Sequence, residues 1–402
     1  MSKLVPLTDA AEINPPIPKE LIPEGDEKVT FLPMAAVGED GTVSLAETRP
    51  YSEVAKGYTQ FCKGDVLIAK ITPCMENGKA AHVNGTATAV GCGSTEFHVL
   101  RAKKSVWPRY LFHLIWNDPF RRLAARNMTG SAGQKRVPKS FLENHKIPLP
   151  HKDGKPDLDE QRRIAAILDK ADAIRRKRQQ ALRLTDDFLR SVFLDMFGDP
   201  VTNPKGWDEV EFGELVKSTK LGMVRSSKEF GWDLPVPYVR MDAVTNDGAF
   251  LPDKVQGTEA SKEDIEAYGL EPGDFLFNTR NSKELVGKVA VFPGPAGATF
   301  NNNLMRIRFR QSADPYFVCQ QFQFARLQRE LEARKQGTTS VFAVYWKNLQ
   351  TLPILCPPPE LQLDFRGIVD KITTVRIPMT SWAAESNDFF ASLQQRAFQG
   401  EL

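Results

Sequence analysis

Apolar residues recur at a helical spacing over two long stretches of this 402-residue chain. The first stretch, residues 158–197, contains no glycine or proline, and its apolar positions are Ile164, Ile167, Leu168, Ala171, Ile174, Ala181, Leu182, Phe188, Leu189 and Val192. The second, residues 360–399, has Phe365, Ile368, Val369, Ile372, Val375, Met379, Trp382, Phe389 and Leu393. A spacing near 3.5 residues is typical of a coiled-coil seam, so we predict two long helices that pack on each other.

Pro378 lies inside the second of these stretches. A proline cannot donate a backbone hydrogen bond, and its ring clashes with the carbonyl four residues earlier, here that of Thr374. We therefore expect a kink or a break in the second helix at this point.

The two stretches are copies of each other. When the chain is shifted by 201 residues, nine of the 37 positions between Gln161 and Phe197 are identical without a gap. Ordinary residue usage gives roughly two such matches by chance. The chain therefore carries an internal repeat, which indicates two copies of one structural unit.

The segments that alternate with these stretches have the pattern of mixed α/β domains. DVLIAKI (65–71) and TEFHVLRA (95–102) resemble strands, PRYLFHLIW (108–116) resembles a helix, and KGDVLIAKI (63–71) matches PGDFLFNTR (272–280). Turn-rich linkers occupy 148–156 and 198–207. We predict an α+β fold with globular domains at 1–150 and 201–356 and long helices in 151–200 and 357–402. The equal lengths of the helices suggest that they act as a ruler.

Composition limits the class of protein. The apolar fraction is 41% and the charged fraction 26%, as in soluble globular proteins. No apolar run reaches the roughly 18 residues of a membrane span, and no signal peptide is recognisable. The five cysteines are odd in number and widely spaced, so we expect buried thiols in a reducing cytoplasm rather than disulfides or a metal site.

Basic residues are concentrated at matching places in the two halves. Residues 101–140 contain ten Lys and Arg against one acid, and residues 301–350 contain eight against three. Two such stretches favour a polyanion partner, although a solvated basic face remains the alternative.

Catalytic motifs fail on inspection. INPPIP (13–18) is similar to the amine-binding motif of amino-methyltransferases, but Ile17 stands where an aromatic residue is needed. AVGCGSTEF (89–97) is rich in glycine but precedes a strand-like run, whereas a cofactor loop precedes a helix. No phosphate-binding GxxxxGK[ST] motif is present. We therefore expect neither catalytic residues nor a cofactor in this chain.

Residue types suited to DNA contacts occur in loops of both halves. Arg, Lys, Asn and Gln bind phosphates and base edges, and two copies of a module can read two half-sites. The surface turn is the alternative for each loop. The candidate DNA-binding residues are Lys70, Arg121, Arg122, Gln134, Lys135, Arg136, Asn278, Thr279, Arg280, Asn281 and Lys283. The run RRKR (175–178) is interpreted as a solvated flank of the helix seam, with a DNA-phosphate contact as the alternative.

The chain resembles the specificity subunits of type I restriction-modification enzymes. The strings that carry the resemblance are LDEQRRIAAILDKADAIRRKRQQAL, FLRSVFLDMFGDPVTNPKGW, GDFLFNTRNSKELVGKVAVF and the closing FFASLQQRAFQGEL. The family implies two target-recognition domains that alternate with two conserved helices packed antiparallel as a spacer. It also implies assembly with two methyltransferase subunits and with restriction subunits, which would hold S-adenosylmethionine, ATP and Mg²⁺.

The repeated residues near the helix ends suggest where such partners bind. We expect partner contacts at Phe188, Ser191 and Phe197 and at their counterparts Phe389, Ser392 and Phe398, with closure of the core as the alternative for the aromatic residues. The sequence thus predicts a non-catalytic subunit that recognises a two-part DNA target. The alternative is a coiled-coil scaffold whose basic domains bind nucleic acid without sequence preference. The target bases cannot be read from loop residues alone.

Overall fold

The protein, seen in a computed structural model that describes residues 2–131, 133–337 and 340–402, forms two compact units. The first unit is Met1–Gln180 with Thr380–Leu402, and the second is Ala181–Met379. Each unit contains one globular part and a part of both long helices.

The first unit mixes short strands and helices before the first long helix. Its elements are β1 (Ser2–Pro6), α1 (Leu7–Ala10), β2 (Ala11–Ile13), β3 (Lys28–Leu32), β4 (Thr48–Pro50), α2 (Tyr51–Val54), β5 (Thr59–Cys62), β6 (Val66–Ala69), β7 (Ala80–His82), β8 (Val90–Gly93), β9 (Phe97–Ala102), α3 (Pro108–Trp116), α4 (Asp118–Arg126), α5 (Lys139–Asn144), β10 (Lys146–Lys152), β11 (Lys155–Pro156) and α6 (Leu158–Phe197).

The core of the first unit lies between a central sheet and the helices. That sheet has the strand order β2-β9-β6-β7, and a second sheet has the order β4-β3-β8-β5. The apolar side of α3, with Leu111 and Ile115 fully buried, packs together with Ile164 and Leu168 of α6 and with Leu393 of α12 (Pro359–Gln399). Pro108 is the first residue of α3, a position whose backbone N–H has no acceptor within the helix, so a proline is tolerated there. The predicted bounds 108–116 are confirmed.

The second unit repeats this succession of elements. They are β12 (Glu209–Glu211), α7 (Phe212–Leu215), β13 (Val216–Leu221), β14 (Phe230–Gly231), β15 (Val236–Val239), β16 (Gln256–Thr258), α8 (Lys262–Tyr268), β17 (Phe275–Asn278), β18 (Arg280–Asn281), β19 (Val289–Val291), β20 (Thr299–Phe300), β21 (Leu304–Phe309), α9 (Pro315–Gln321), α10 (Ala325–Arg334), β22 (Gln336–Gly337), β23 (Phe342–Ala343), α11 (Trp346–Leu349), β24 (Pro353–Leu355) and then α12.

The central sheets of the two units have the same design. The order β13-β21-β17-β19 corresponds to β2-β9-β6-β7, with antiparallel pairing throughout. Each sheet also holds the same ion pair with a buried aspartate, Asp65 with Arg101 at 2.9 Å and Asp274 with Arg308 at 2.7 Å. The α+β fold with an internal repeat is therefore confirmed.

Both predicted long helices are present, and they run antiparallel within each unit. α6 has the predicted bounds 158–197, and α12 begins one residue before the predicted 360. In the first unit Arg163 near the start of α6 donates to the Leu402 carbonyl, while Arg175 lies over the ring of Phe390. In the second unit the Phe193 and Phe365 rings meet edge to face, with centroids 5.6 Å apart.

The break expected at Pro378 does not occur, because α12 is continuous through this residue. The carbonyl of Thr374, which loses its intrahelical donor, belongs to an exposed residue. Water can therefore satisfy this carbonyl, and the packing on either side keeps the helix intact.

The apolar stripe predicted for the seam is wrong at five positions. Ile174, Phe188, Val375, Trp382 and Phe389 are exposed. In the first unit a polar residue of α6 is buried as well: Asp172 pairs with Arg175 at 2.6 Å and with Arg176 at 2.8 Å.

The basic run at 175–178 is thus largely engaged within the first unit. Arg178 donates to the Trp382 carbonyl at 2.9 Å and also to the Ser386 hydroxyl of α12. These bonds and the Asp172 pairs favour a role in the helix pair over a phosphate contact.

Candidate nucleic-acid interface

One end of the central sheet in the first unit gathers polar residues. β6 ends at Ala69, opposite Phe97 at the start of β9, and β2 ends nearby at Ile13. Because antiparallel neighbours bring these ends together, Asn14, Lys70 and Glu96 lie along the same edge. The Lys70 amide donates to the Glu96 carbonyl at 2.8 Å, and the Asn14 amide donates to Val99 at 2.7 Å. We call this the first edge.

A hairpin continues the first edge. Thr129 pairs with Arg136, the Thr72 amide donates to the Lys135 carbonyl at 3.0 Å, and the Val137 amide donates to the Lys70 carbonyl at 2.8 Å. The side chains of Gln134 and Lys135 are exposed on this hairpin. The structure therefore brings Lys70, Gln134 and Lys135 together at the first edge.

Arg136 is held by Glu96 rather than left free. Its Nε and Nη2 donate to the two carboxylate oxygens at 2.9 and 2.8 Å, while Nη1 donates to the Gln134 carbonyl at 3.2 Å. These bonds with Arg136 hold the pKa of Glu96 below its usual value, against the opposing effect of burial. Arg136 therefore fixes the hairpin, and Lys135 is the more available cation.

Arg121 and Arg122 differ in accessibility. Arg121 is half-buried and donates to the Glu76 carbonyl at 3.0 Å, which favours a structural role over the predicted phosphate contact at this residue. Its guanidinium packs on the turn that contains Gly78, a position whose positive φ of +87° suits glycine. Arg122 is exposed on the same helix and pairs with Asp118 at 2.5 Å.

The second unit has the equivalent end of its sheet. β17 ends at Asn278 opposite Leu304 at the start of β21, and β13 ends at Leu221 opposite Met305. The Thr279 amide donates to the Asn303 carbonyl at 2.8 Å. The hairpin of β22 and β23 joins β18 through the pair of Arg280 with Ala343. We call this the second edge; Thr338 and Thr339 lie outside the described residues.

The predicted residues of the second edge have unequal access to solvent. Asn278 is fully buried in β17, and this burial argues against its predicted DNA contact. The Thr279 hydroxyl donates to the Asn303 carbonyl at 3.0 Å, and Asn281 contacts the sulfur of Met241 at 3.4 Å. Lys283 pairs with Glu332 at 3.2 Å. Arg280 is exposed and, among the described residues, forms no ion pair within 4 Å.

The two edges differ in the charge at one equivalent pair of positions. In the first edge Ile71 stands opposite Arg136, so at this pair the charge is on the hairpin. In the second edge Arg280 stands opposite Ala343, so the charge is on the strand that continues from the sheet. Glu96, which holds Arg136, has Asn303 as its counterpart before β21, so Arg280 has no equivalent acid. Equivalent backbones therefore carry different donors.

Two loops at these edges were not among the predicted site residues. Asn14 of the INPPIP motif donates to the His98 Nδ1 at 3.0 Å and accepts from the Val99 amide at 2.8 Å, so it joins β2 to β9. Asn301, Asn302 and Asn303 precede β21 at the second edge and are half-buried. The signal available in the sequence was their position directly beside the end of a strand.

The six predicted partner residues divide into two groups. Phe188 and Phe389 are 56% and 61% exposed, and Ser191 and Ser392 are also exposed. Phe197 is buried, and its ring lies 4.6 Å from that of Phe317. Phe398 is partly buried against Tyr110, with ring centroids 5.8 Å apart. The burial of Phe197 favours the alternative, closure of the core, over a partner contact at this residue, and Phe398 packs mainly within its own unit.

Among residues 2–131, 133–337 and 340–402, no group of three or more His, Cys, Asp or Glu side chains is placed to hold a metal ion. Within that part of the chain no helix is long and apolar enough to cross a membrane.

Comparison with known families gives the relationship. The model of the type I restriction modification DNA specificity domain matches residues 3–184 and, a second time, residues 204–375. The chain belongs to this family. The two matches correspond to the two copies of the repeat.

Two individual members of the family match this chain over part of their length. The chain is 42% identical over 161 residues to the EcoAI specificity subunit of Escherichia coli, a stretch that covers 39% of this chain and 26% of that protein. The EcoEI specificity subunit of the same organism is 41% identical over 149 residues, which cover 36% and 24% of the two chains. The matched stretches thus span about a quarter of these relatives.

Solved structures are similar in fold. A type I restriction-modification S subunit from M. genitalium aligns over 99% of this chain and 96% of its own, with a TM-score of 0.55 and 14% identity. A chain described in work on complex assembly and conformational transition of a type I system aligns over 100% and 98%, with a TM-score of 0.50 and 22% identity. At these identities the likeness concerns the fold.

Proposed function

We propose that this chain is a non-catalytic, sequence-specific DNA-binding subunit of a type I restriction-modification enzyme, which recognises a target in two parts. The observation that supports it best is the pair of equivalent sheet edges whose backbones match and whose exposed side chains differ. Two copies of one module suit two DNA half-sites, and different side chains suit different base sequences.

Each edge offers both kinds of contact that such recognition needs. Lys70 and Lys135 in the first edge and Arg280 in the second supply positive charge for phosphates or for guanine. Gln134 and the asparagines beside β21 supply amide groups that can bind adenine edges. The remaining chemistry of the enzyme belongs to partners in this proposal, which hold S-adenosylmethionine, ATP and Mg²⁺.

We further propose that two methyltransferase subunits dock on the exposed helix surfaces, with restriction subunits joining the assembly for cleavage. Phe389 and Ser392 belong to the first unit, and Phe188 and Ser191 to the second. Each unit therefore exposes one copy of the same Phe-x-x-Ser surface. An exposed, repeated aromatic residue is costly in water, and burial against a partner removes that cost.

The experiment is a selection of bound duplexes from a randomised pool by the full chain, assembled with its methyltransferase subunits, at fixed salt. The proposal predicts an enriched motif with two separate specified parts. A scaffold that binds nucleic acid without sequence preference is the other candidate, and it predicts retention of all duplexes with a strong salt dependence and no enriched motif.

A further inference from the structure

Tyr345 lies at the second edge with its ring open to solvent. It lies two residues after the end of β23, and the intervening Val344 amide donates to the Thr279 carbonyl at 2.9 Å, which extends the pairing by one residue. The Tyr345 side chain is 51% exposed. Among the described residues its ring makes no aromatic contact and its hydroxyl makes no hydrogen bond.

The backbone of Tyr345 has a structural role that its ring does not share. Its carbonyl accepts from the Asn348 and Leu349 amides at 2.9 and 3.0 Å and so begins α11. Any residue with extended backbone angles can supply that carbonyl. The ring must therefore be explained in some other way.

The equivalent position in the first unit shows which residue the fold accepts there. There the Val137 amide donates to the Lys70 carbonyl, as Val344 does to Thr279, and the next residue is Pro138. Pro138 precedes α5 with φ −73° and ψ 150°, close to the −85° and 152° of Tyr345 before α11. A proline is sufficient at this place in the fold, so the tyrosine ring adds something that folding does not require.

Tyr345 shares its face of the hairpin with the free cation of the second edge. Alternate residues of an extended strand point to the same side, so Tyr345 lies on the side of Ala343. Ala343 is the cross-strand partner of Arg280. Tyr345 is therefore the diagonal neighbour of Arg280, and residues so placed are within reach of the same ligand.

We propose that Tyr345 is a specificity-determining residue of the second unit, whose ring lies against a base edge or deoxyribose of duplex DNA beside the contact of Arg280. This inference rests on the proposed function. An exposed tyrosine offers a large apolar surface at a small entropic cost, because only two side-chain torsions must be fixed. Apolar contact with the thymine methyl group is one way in which such a ring discriminates between bases. The first edge, with Pro138 instead, reads its half-site without an aromatic residue here.

The test compares four proteins in the full assembled complex: the unchanged chain, Tyr345→Ala, Tyr345→Phe and the matched Pro138→Ala. Each is measured on the selected target and on duplexes with single base changes in either half. We expect Tyr345→Ala to reduce discrimination at one or two positions in one half-site by about tenfold. Tyr345→Phe, which keeps the ring, should stay within about threefold of the unchanged chain, a small part of the discrimination that a base contact supplies.

The outcomes separate the two proposals. If the unchanged chain shows no sequence preference, the proposed function itself fails. If the unchanged chain is specific but Tyr345→Ala discriminates equally well, or if Tyr345→Phe loses as much as Tyr345→Ala, the ring contact is overturned. Pro138→Ala should not change discrimination in the half-site that Tyr345→Ala affects. If it reduced discrimination there as much as Tyr345→Ala, both substitutions would act through the helix that begins after each residue, and the ring contact would be wrong.

Discussion

Gln161 and Gln362 form the same two hydrogen bonds in the two units. The Gln161 amide accepts from the Trp107 amide at 2.8 Å and donates to the Ser105 carbonyl at 3.1 Å. The Gln362 amide accepts from the Asp314 amide at 2.8 Å and donates to the Ser312 carbonyl at 3.1 Å. Both glutamines are buried at the fourth position of a long helix and tie that helix to the segment before α3 or α9.

Gln161→Ala should therefore destabilise the first unit. The substitution leaves the Trp107 amide and the Ser105 carbonyl without partners in a partly buried setting, which costs about 1–3 kcal/mol. Urea unfolding followed by hydrogen exchange, which resolves the two units, measures the change. Gln395→Ala on the exposed side of α12 is the control and should change the free energy of unfolding by less than about 0.5 kcal/mol. Equal values for the two variants would contradict the structural role of Gln161.

Acidification should weaken the first unit before the second. All five histidines lie in the first unit, and burial lowers the pKa of His82, His98, His113 and His145, that of His82 to about 4. Below pH 6.5 these histidines bind protons in the unfolded chain but stay neutral in the folded one. The free energy of unfolding is therefore at its full value above pH 6.5 and decreases as the pH falls. For His82 alone the loss at pH 5 is about 2 kcal/mol.

The second unit supplies the internal control for that pH dependence. It contains no histidine, and burial raises the pKa of its Asp314, which opposes destabilisation by acid. Hydrogen exchange at pH 7.5 and pH 5, corrected for the intrinsic rates, should show loss of protection in the first unit only. A parallel loss in both units would mean that the histidines are not the cause.

The contribution of the sequence can be judged from particular residues. The helix at 158–197 was predictable because no glycine or proline interrupts it. The helix at 108–116 was predictable because a proline marks its first residue. The burial of Asp172 was not, since a carboxylate enters an interior only when partners such as Arg175 and Arg176 are present, and sequence spacing does not reveal them. The burial of Asn278 was not predictable either, because a position at the end of a strand does not reveal whether the side chain is exposed.

The two exposed helix surfaces should each bind one methyltransferase subunit. Native mass spectrometry of the co-expressed complex is expected to give two methyltransferase subunits per chain. Phe188→Ser or Phe389→Ser should each reduce this ratio to one, because each substitution removes the apolar centre of one surface. Ile377→Ser, an exposed apolar residue of α12 outside the repeated surface, is the control. A saturated one-to-one assembly of the unchanged chain would contradict the two-surface proposal.

Exchange of the first block should change half of the recognised target. Residues 1–150, which we propose as one target-recognition domain, contain the whole first edge, including its hairpin. Replacing them with the matching block of a relative is expected to alter one part of the motif found by duplex selection and to leave the other part intact. A change in both parts would mean that the blocks read DNA jointly.

The most direct measurement of the central claim, that each unit reads its own half-site, is duplex selection with Lys135→Ala and with Arg280→Ala in the assembled complex. Lys135 belongs to the first edge and Arg280 to the second. The account predicts that each variant keeps a two-part motif, and that Arg280→Ala relaxes a position in one half by about 1–3 kcal/mol. Any loss of specificity caused by Lys135→Ala should fall in the other half. If both substitutions weaken the same half, or if neither changes anything but overall affinity, the claim that the two edges read separate half-sites is wrong.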